Sequence, residues 1–172
     1  MEEPRLEEIL LFRRLDPSER AELEELLEPA QFDAGEAMIQ EGGEEESVFV
    51  LTSGTVEVHK QVTPGRSETL ATMSAPTVVG ELGLLTEPKA IASVVAKTPV
   101  EAHAMDREEF LELLESGSLA ASKVVYEIGR TLAARMAHTD RVVSEVIERI
   151  EDRPENVDFE VFRDRMISDW YA

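Results

Sequence analysis

The residues best suited to chemistry lie in the run Val79-Gly80-Glu81-Leu82-Gly83-Leu84-Leu85, which continues through Thr86-Glu87-Pro88-Lys89-Ala90-Ile91-Ala92-Ser93-Val94-Val95-Ala96. A glycine, a lone acid and a short apolar turn leading back into a strand make a concave pocket with inward backbone N–H groups. Such a pocket suits an anion. A buried carboxylate at Glu81 then needs a donor such as a ribose hydroxyl, because leaving it unpaired is costly. Other chemistries lack their residues. His59, His103 and His138 are far apart in sequence, and His138 falls in a helical stretch, so no shared metal is expected. The absence of cysteine removes disulfides, thiolate metal sites and thiol nucleophiles. There is no Gly-x-Ser-x-Gly elbow, no Gly-Lys-Ser/Thr phosphate loop and no His-Glu-x-x-His pair. The acidic run Glu44-Glu45-Glu46 reads as a solvated loop. The expectation is a binding protein rather than an enzyme, with no cofactor and no metal.

The elements around this run follow from periodicity. Leu6, Ile9, Leu10, Phe12 and Leu15, then Leu23, Leu26 and Leu27, recur at helical spacing and predict two short helices. Asp16, Pro17 and Glu19 form a capping-box pattern for the second, which Pro29 is expected to end. From Gln31 to Met105 the period falls to about two, with turn residues at Asp33-Ala34-Gly35, Glu41-Gly42-Gly43, Ser53-Gly54, Pro64-Gly65 and Thr98-Pro99. Short strands with almost no helix between them imply an antiparallel sandwich, barrel or roll. The helical period returns after Asp106, is interrupted at Gly117, and runs on from about Leu119 to Ile150.

In that last stretch Leu132, Met136, Thr139, Val143, Val146 and Ile150 alternate steps of four and three, the seam of a coiled coil. The narrow stripe favours a homodimer over a helix lying on its own β domain. The tail, with Phe159, Val161, Phe162, Met166, Ile167 and Trp170, is expected to form a short amphipathic helix docked within the dimer. The expected organisation is residues 1–116 for N-terminal helices and roll, 117–151 for the dimerisation helix, and 152–172 for the tail.

Acidic residues outnumber basic ones 37 to 17, a net charge of −20, so phosphate backbones and anionic lipid are repelled on average. Neither nucleic acid nor membrane is an expected partner. Met1–Leu15 carries Glu2, Glu3, Glu7 and Glu8 where a secretory signal would be basic, and no stretch is long enough to cross a bilayer. A cytoplasmic location is expected.

The run from Val79 to Ala96 resembles the phosphate-binding cassette of the cyclic-nucleotide-binding family, which includes catabolite activator proteins and regulatory subunits of cyclic-AMP-dependent kinase. Leu11-Phe12-Arg13-Arg14-Leu15 is similar to the family's N-terminal helical segment. Gly35, Gly42, Gly54 and Gly80 fall at its roll turns, and Ala104-Met105-Asp106-Arg107-Glu108-Glu109-Phe110 looks like its exit into the first C-terminal helix. The implied fold is α+β, an antiparallel, jelly-roll-like β-roll with N-terminal helices and a long C-terminal dimerisation helix.

The resemblance also implies roles. Glu81 matches the glutamate that binds the ribose 2′-hydroxyl; Gly80, Leu82 and Gly83 match its turn; Ala92 and Ser93 match the small residues that open the next strand at the phosphate. The family's phosphate-pairing arginine is absent, its position falling on Ala90 or Lys89. Lysine offers a point charge where arginine offers a planar fork. Thr139 falls where activator proteins place an adenine-contacting threonine, beside Asp140. The family's DNA-reading winged helix would need a further basic domain, and the acidic residues 151–172 do not provide one. The expected function is a regulatory module that senses cAMP or cGMP and signals through its dimer helix to an unidentified protein partner. The alternative is a ligand-free dimeric scaffold or adaptor of the same fold.

Overall fold

A computed structural model describes residues 6–44, 46–85 and 89–151, with backbone alone for residues 138, 139 and 142–151. Helix α1 spans Pro17–Glu24 and begins with the expected capping box: the Asp16 side chain accepts from the Ser18 and Glu19 N–H groups, and Glu19 accepts from the Asp16 N–H. The expected first helix is instead a single 3₁₀ turn, Leu6–Glu8, followed by further turns closed by Phe12 N–H to the Ile9 carbonyl and Leu15 N–H to the Phe12 carbonyl. The physical reason lies in the burial. Leu6, Ile9, Phe12 and Leu15 are all buried at steps of three, the period of a 3₁₀ helix rather than an α-helix.

Among the described residues eight strands follow: β1 Leu27–Phe32, β2 Ala37–Ile39, β3 Ser47–Ser53, β4 Thr55–Thr63, β5 Arg66–Ser74, β6 Thr77–Val79, β7 Ser93–Ala96 and β8 Val100–Asp106. They form two antiparallel four-stranded sheets, ordered β1-β8-β3-β6 and β2-β7-β4-β5. This is the expected roll. Pro29 does not end a helix: it sits in β1 opposite His103. Because β1 is an edge strand bonded only to β8, a residue without an N–H is tolerated there.

The interior of the roll is apolar. Ile39, Leu51, Val56, Val79, Ala90, Val94, Ala96, Val100 and Ala102 form one buried cluster, flanked by Phe32, Phe49 and Val58. Inward residues alternate along β7, as a strand with one buried face requires, while β4 buries Val56 fully and Val58 in part. The β3–β4 turn is set by Gly54 at φ +94°, where an added Cβ would lie 2.4 Å from the Pro99 carbonyl oxygen.

Helices α2 (Arg107–Glu115) and α3 (Leu119–Glu151) follow β8, separated by Gly117 at φ +90°. The first turns of α3 are tied to the N-terminal segment by Lys123 with Glu19, Ser118 with Glu22, and Arg14 with the buried Glu127. Burial of Leu23, Phe110, Ala120, Val124 and Ile128 accompanies these links. Helix α3 spans the boundary between two compact units, one ending at Gly129 and the next starting at Arg130. In the second unit Leu132 is half-buried and Met136 exposed; the side chains of Thr139, Val143, Val146 and Ile150, and the tail 152–172, lie outside the described residues. Among the described residues, no helix is long and apolar enough to cross a membrane.

Candidate functional site

The site is built where β6 runs out of sheet. Gly80 adopts φ +85°, a left-handed conformation that a side chain resists, and turns the chain into the 3₁₀ turn Glu81–Leu84. The Gly83 N–H closes that turn on the Gly80 carbonyl at 3.1 Å. Leu84 and Gly83 are buried beneath it, while Glu81 and Leu82 are half-buried at its rim. A half-buried carboxylate on a tight turn can meet both a hydroxyl donor and solvent. The turn is held from outside as well: Arg107, the first residue of α2, donates from Nε to the Gly83 carbonyl at 2.7 Å. Its own N–H donates to the Glu46 carbonyl at 2.9 Å.

The far side of the site is the segment entering β7. Ala90 is 4% exposed and belongs to the apolar cluster, in phase with inward Val94 and Ala96. Its backbone is fully engaged, N–H to the Gly43 carbonyl at 3.0 Å and carbonyl from the Gly42 N–H at 2.8 Å. Lys89 lies on the opposite phase, exposed, its backbone bridged to Glu44. Of the two positions on which the family's arginine falls, the buried one therefore carries a methyl group and the exposed one carries the charge. Ala92 and Ser93 are half-buried at the entry to β7, and Thr139 contributes no described side chain.

Two charged residues that sequence reasoning did not single out converge here. The Glu41 N–H donates to Ser93 Oγ at 2.9 Å, so the β2–β3 loop is fastened to the start of β7. Glu41 Oε1 takes the Lys60 ammonium at 2.6 Å, and its Oε2 accepts from the Gln61 N–H at 2.8 Å. Lys60 also donates to the Ile91 carbonyl. The Lys60 hydrogen bond, reinforced by the Gln61 N–H, holds the Glu41 carboxyl below its ordinary value. The signal was legible in part. Lys60 follows Val56 and Val58 at two-residue steps, which puts a cation on the face of β4 that otherwise fills the core. That Glu41 meets it depends on a contact between the β2–β3 loop and β4, 19 positions apart in the chain. Arg107 stands beside the N-cap Asp106, but nothing local reveals its reach to Gly83. Among the described residues, no cluster of histidine and acidic side chains could hold a metal ion.

The chain is similar to several known proteins. Residues 29–117 match the pattern that defines the family described as "Cyclic nucleotide-binding domain". A cAMP-dependent protein kinase regulatory subunit from Emericella nidulans is 36% identical over 114 residues, which cover 66% of this chain and 27% of that protein. The chain thus spans about a quarter of the length of that curated relative. The catabolite activator protein of Thermus thermophilus superposes with a TM-score of 0.70 at 25% identity, covering 80% of this chain and 62% of that one. The regulatory subunit of a cAMP-independent protein kinase A from Trypanosoma brucei superposes with a TM-score of 0.65 at 27% identity, covering 73% of this chain and 44% of that one.

Proposed function

Since the chain belongs to the cyclic nucleotide-binding domain family, we propose that it is a regulatory, non-catalytic module that takes cAMP or cGMP between the Gly80–Leu84 turn and Ala92-Ser93. The observation that carries this reading is the left-handed Gly80 opening a 3₁₀ turn that leaves Glu81 half-buried while Gly83 and Leu84 are buried. An acid there is suited to a ribose hydroxyl, and the backbone N–H groups of a tight turn favour an anionic group.

The output is movement of helices. Because Arg107 joins the Gly83 carbonyl to the first residue of α2, a ligand that shifts the turn also pulls on the helix that follows. The ligand moves that equilibrium only by its difference in affinity for the two arrangements. Homodimerisation through the seam of α3, to which the exposed Met136 belongs, carries the change to a protein partner in the cytoplasm.

Titration calorimetry with cAMP and with cGMP, using Glu81→Ala as the control, tests the site. Saturable binding lost in Glu81→Ala is the expected result. Absence of both heat and thermal stabilisation at millimolar ligand overturns it. A second reading, a dimeric scaffold that binds no nucleotide, is favoured by one feature: Ala90, buried among apolar side chains, provides no charge for a phosphate.

A further inference from the structure

We infer that Lys60, reaching the site from β4, is the cation that pairs with the cyclic phosphate and sets the preference for a charged nucleotide over a neutral nucleoside. This inference rests on the cyclic-nucleotide reading and names the residue that would make it work without an arginine.

The strand ladder places Lys60. β4 pairs with β7 from Val56 opposite Ala96 to His59 opposite Ser93, in regular antiparallel register. Lys60 is the next residue of β4, in phase with Val56 and Val58. Its ammonium touches the Ile91 carbonyl, the residue between Ala90 and Ala92. A positive charge therefore sits against the backbone of the segment whose small residues would receive the phosphate. Lys89 does not reach inward, being exposed and out of phase with the buried Ala90.

An ammonium has three N–H donors. Two of those on Lys60 are given to Glu41 and to Ile91. The remaining donor can serve a phosphate oxygen while the pair with Glu41 holds the side chain in place. Glu41 then has two opposed effects. It pre-positions the ammonium, and its carboxylate, anchored on the Gln61 N–H, repels an incoming anion.

The test is calorimetric titration of the full chain with cAMP and, separately, with adenosine, in wild type, Lys60→Gln, Lys60→Arg, Glu81→Ala and Lys97→Gln. Lys97 pairs with Glu57 and serves as the control for loss of one positive charge. Loss of a charged hydrogen bond to phosphate predicts a fall of about ten- to a hundredfold in cAMP affinity for Lys60→Gln. Adenosine affinity is expected to stay within about threefold, and Lys60→Arg to keep most cAMP affinity. Melting curves check that each variant is folded. Unchanged cAMP affinity in folded Lys60→Gln, with binding lost in Glu81→Ala, overturns the role of Lys60 and leaves the cyclic-nucleotide reading standing. No cAMP binding by wild type overturns both.

Discussion

Arg107 Nε lies 2.7 Å from the carbonyl oxygen of Gly83, joining the first residue of α2 to the turn that carries Glu81. A guanidinium bound to a carbonyl in a partly buried setting contributes about 1.5–3 kcal/mol. Arg107→Ala is therefore expected to lower stability by about that amount and to weaken nucleotide binding along with Glu81 positioning. Denaturant midpoints and calorimetry on the same preparation separate the two. Binding unchanged in a destabilised variant would show that the turn holds its shape without Arg107.

Gly54 and Gly35 offer a matched pair. Both have positive φ, +94° and +90°, but an added Cβ meets the Pro99 carbonyl oxygen at 2.4 Å at Gly54 and nothing within 4 Å at Gly35. Gly35→Ala is expected to cost about 1–2 kcal/mol from the left-handed backbone alone. Gly54→Ala should cost more, because backbone atoms must shift as well. Equal losses in thermal denaturation would contradict the close approach at the β3–β4 turn.

At the junction of the N-terminal segment and α3, Arg14 Nε sits 3.3 Å from Glu127 Oε1, and Glu127 is only 2% exposed. The same guanidinium lies 5.5 Å over the Tyr126 ring. Since the Arg14 side chain is half exposed, Arg14→Ala is expected to cost about 1–2 kcal/mol, less than breaking a wholly buried pair. Restoring the charge with Arg14→Lys should recover only part, because lysine lacks the planar group that stacks on Tyr126.

His103 gives stability a dependence on pH. Its Nδ1 is buried without a hydrogen-bond partner among the described residues, and burial pushes the imidazole below its ordinary value of 6.5. The unfolded chain therefore binds a proton at higher pH than the folded one. Stability is full above 6.5 and falls as the pH drops below it toward the folded value. Glu19, held low by Lys123 and the Asp16 N–H, and Glu41, held low by Lys60 and the Gln61 N–H, add a second loss below their ordinary value of 4.5. Melting temperatures from pH 8 to pH 5 are expected to decline in wild type and to flatten in His103→Leu over that range; parallel curves would remove His103 as the cause.

Much of this molecule was legible without coordinates. The capping box at Asp16 and Glu19, the strand alternation, the left-handed glycines at 35, 42, 54 and 80 and the break at Gly117 are local requirements written into neighbouring residues. So was the turn from Gly80 to Leu84, because only glycine enters it without strain. Pro29 misled, since a proline after a helical run reads as a helix stop and the edge position that tolerates it in β1 is a property of the sheet. Likewise the steps of three from Leu6 to Leu15 fit two kinds of helix, and their burial chose the 3₁₀ form.

The sequence by itself determined the strands, their turns and the place of Glu81, because each depends on residues within a few positions of one another, and the resemblance to a known family implied the roll into which they pair. Tertiary structure alone decided which charges meet the segment entering β7 and which meet the Gly80–Leu84 turn. Ala90 faces the core and Lys89 faces out because β7 and the segment before it have one buried phase. Lys60 meets Glu41, and Arg107 meets Gly83, across 19 and 24 positions of chain. Antiparallel pairing and packing bring such residues together, and no local periodicity encodes a contact between strands that are distant in sequence.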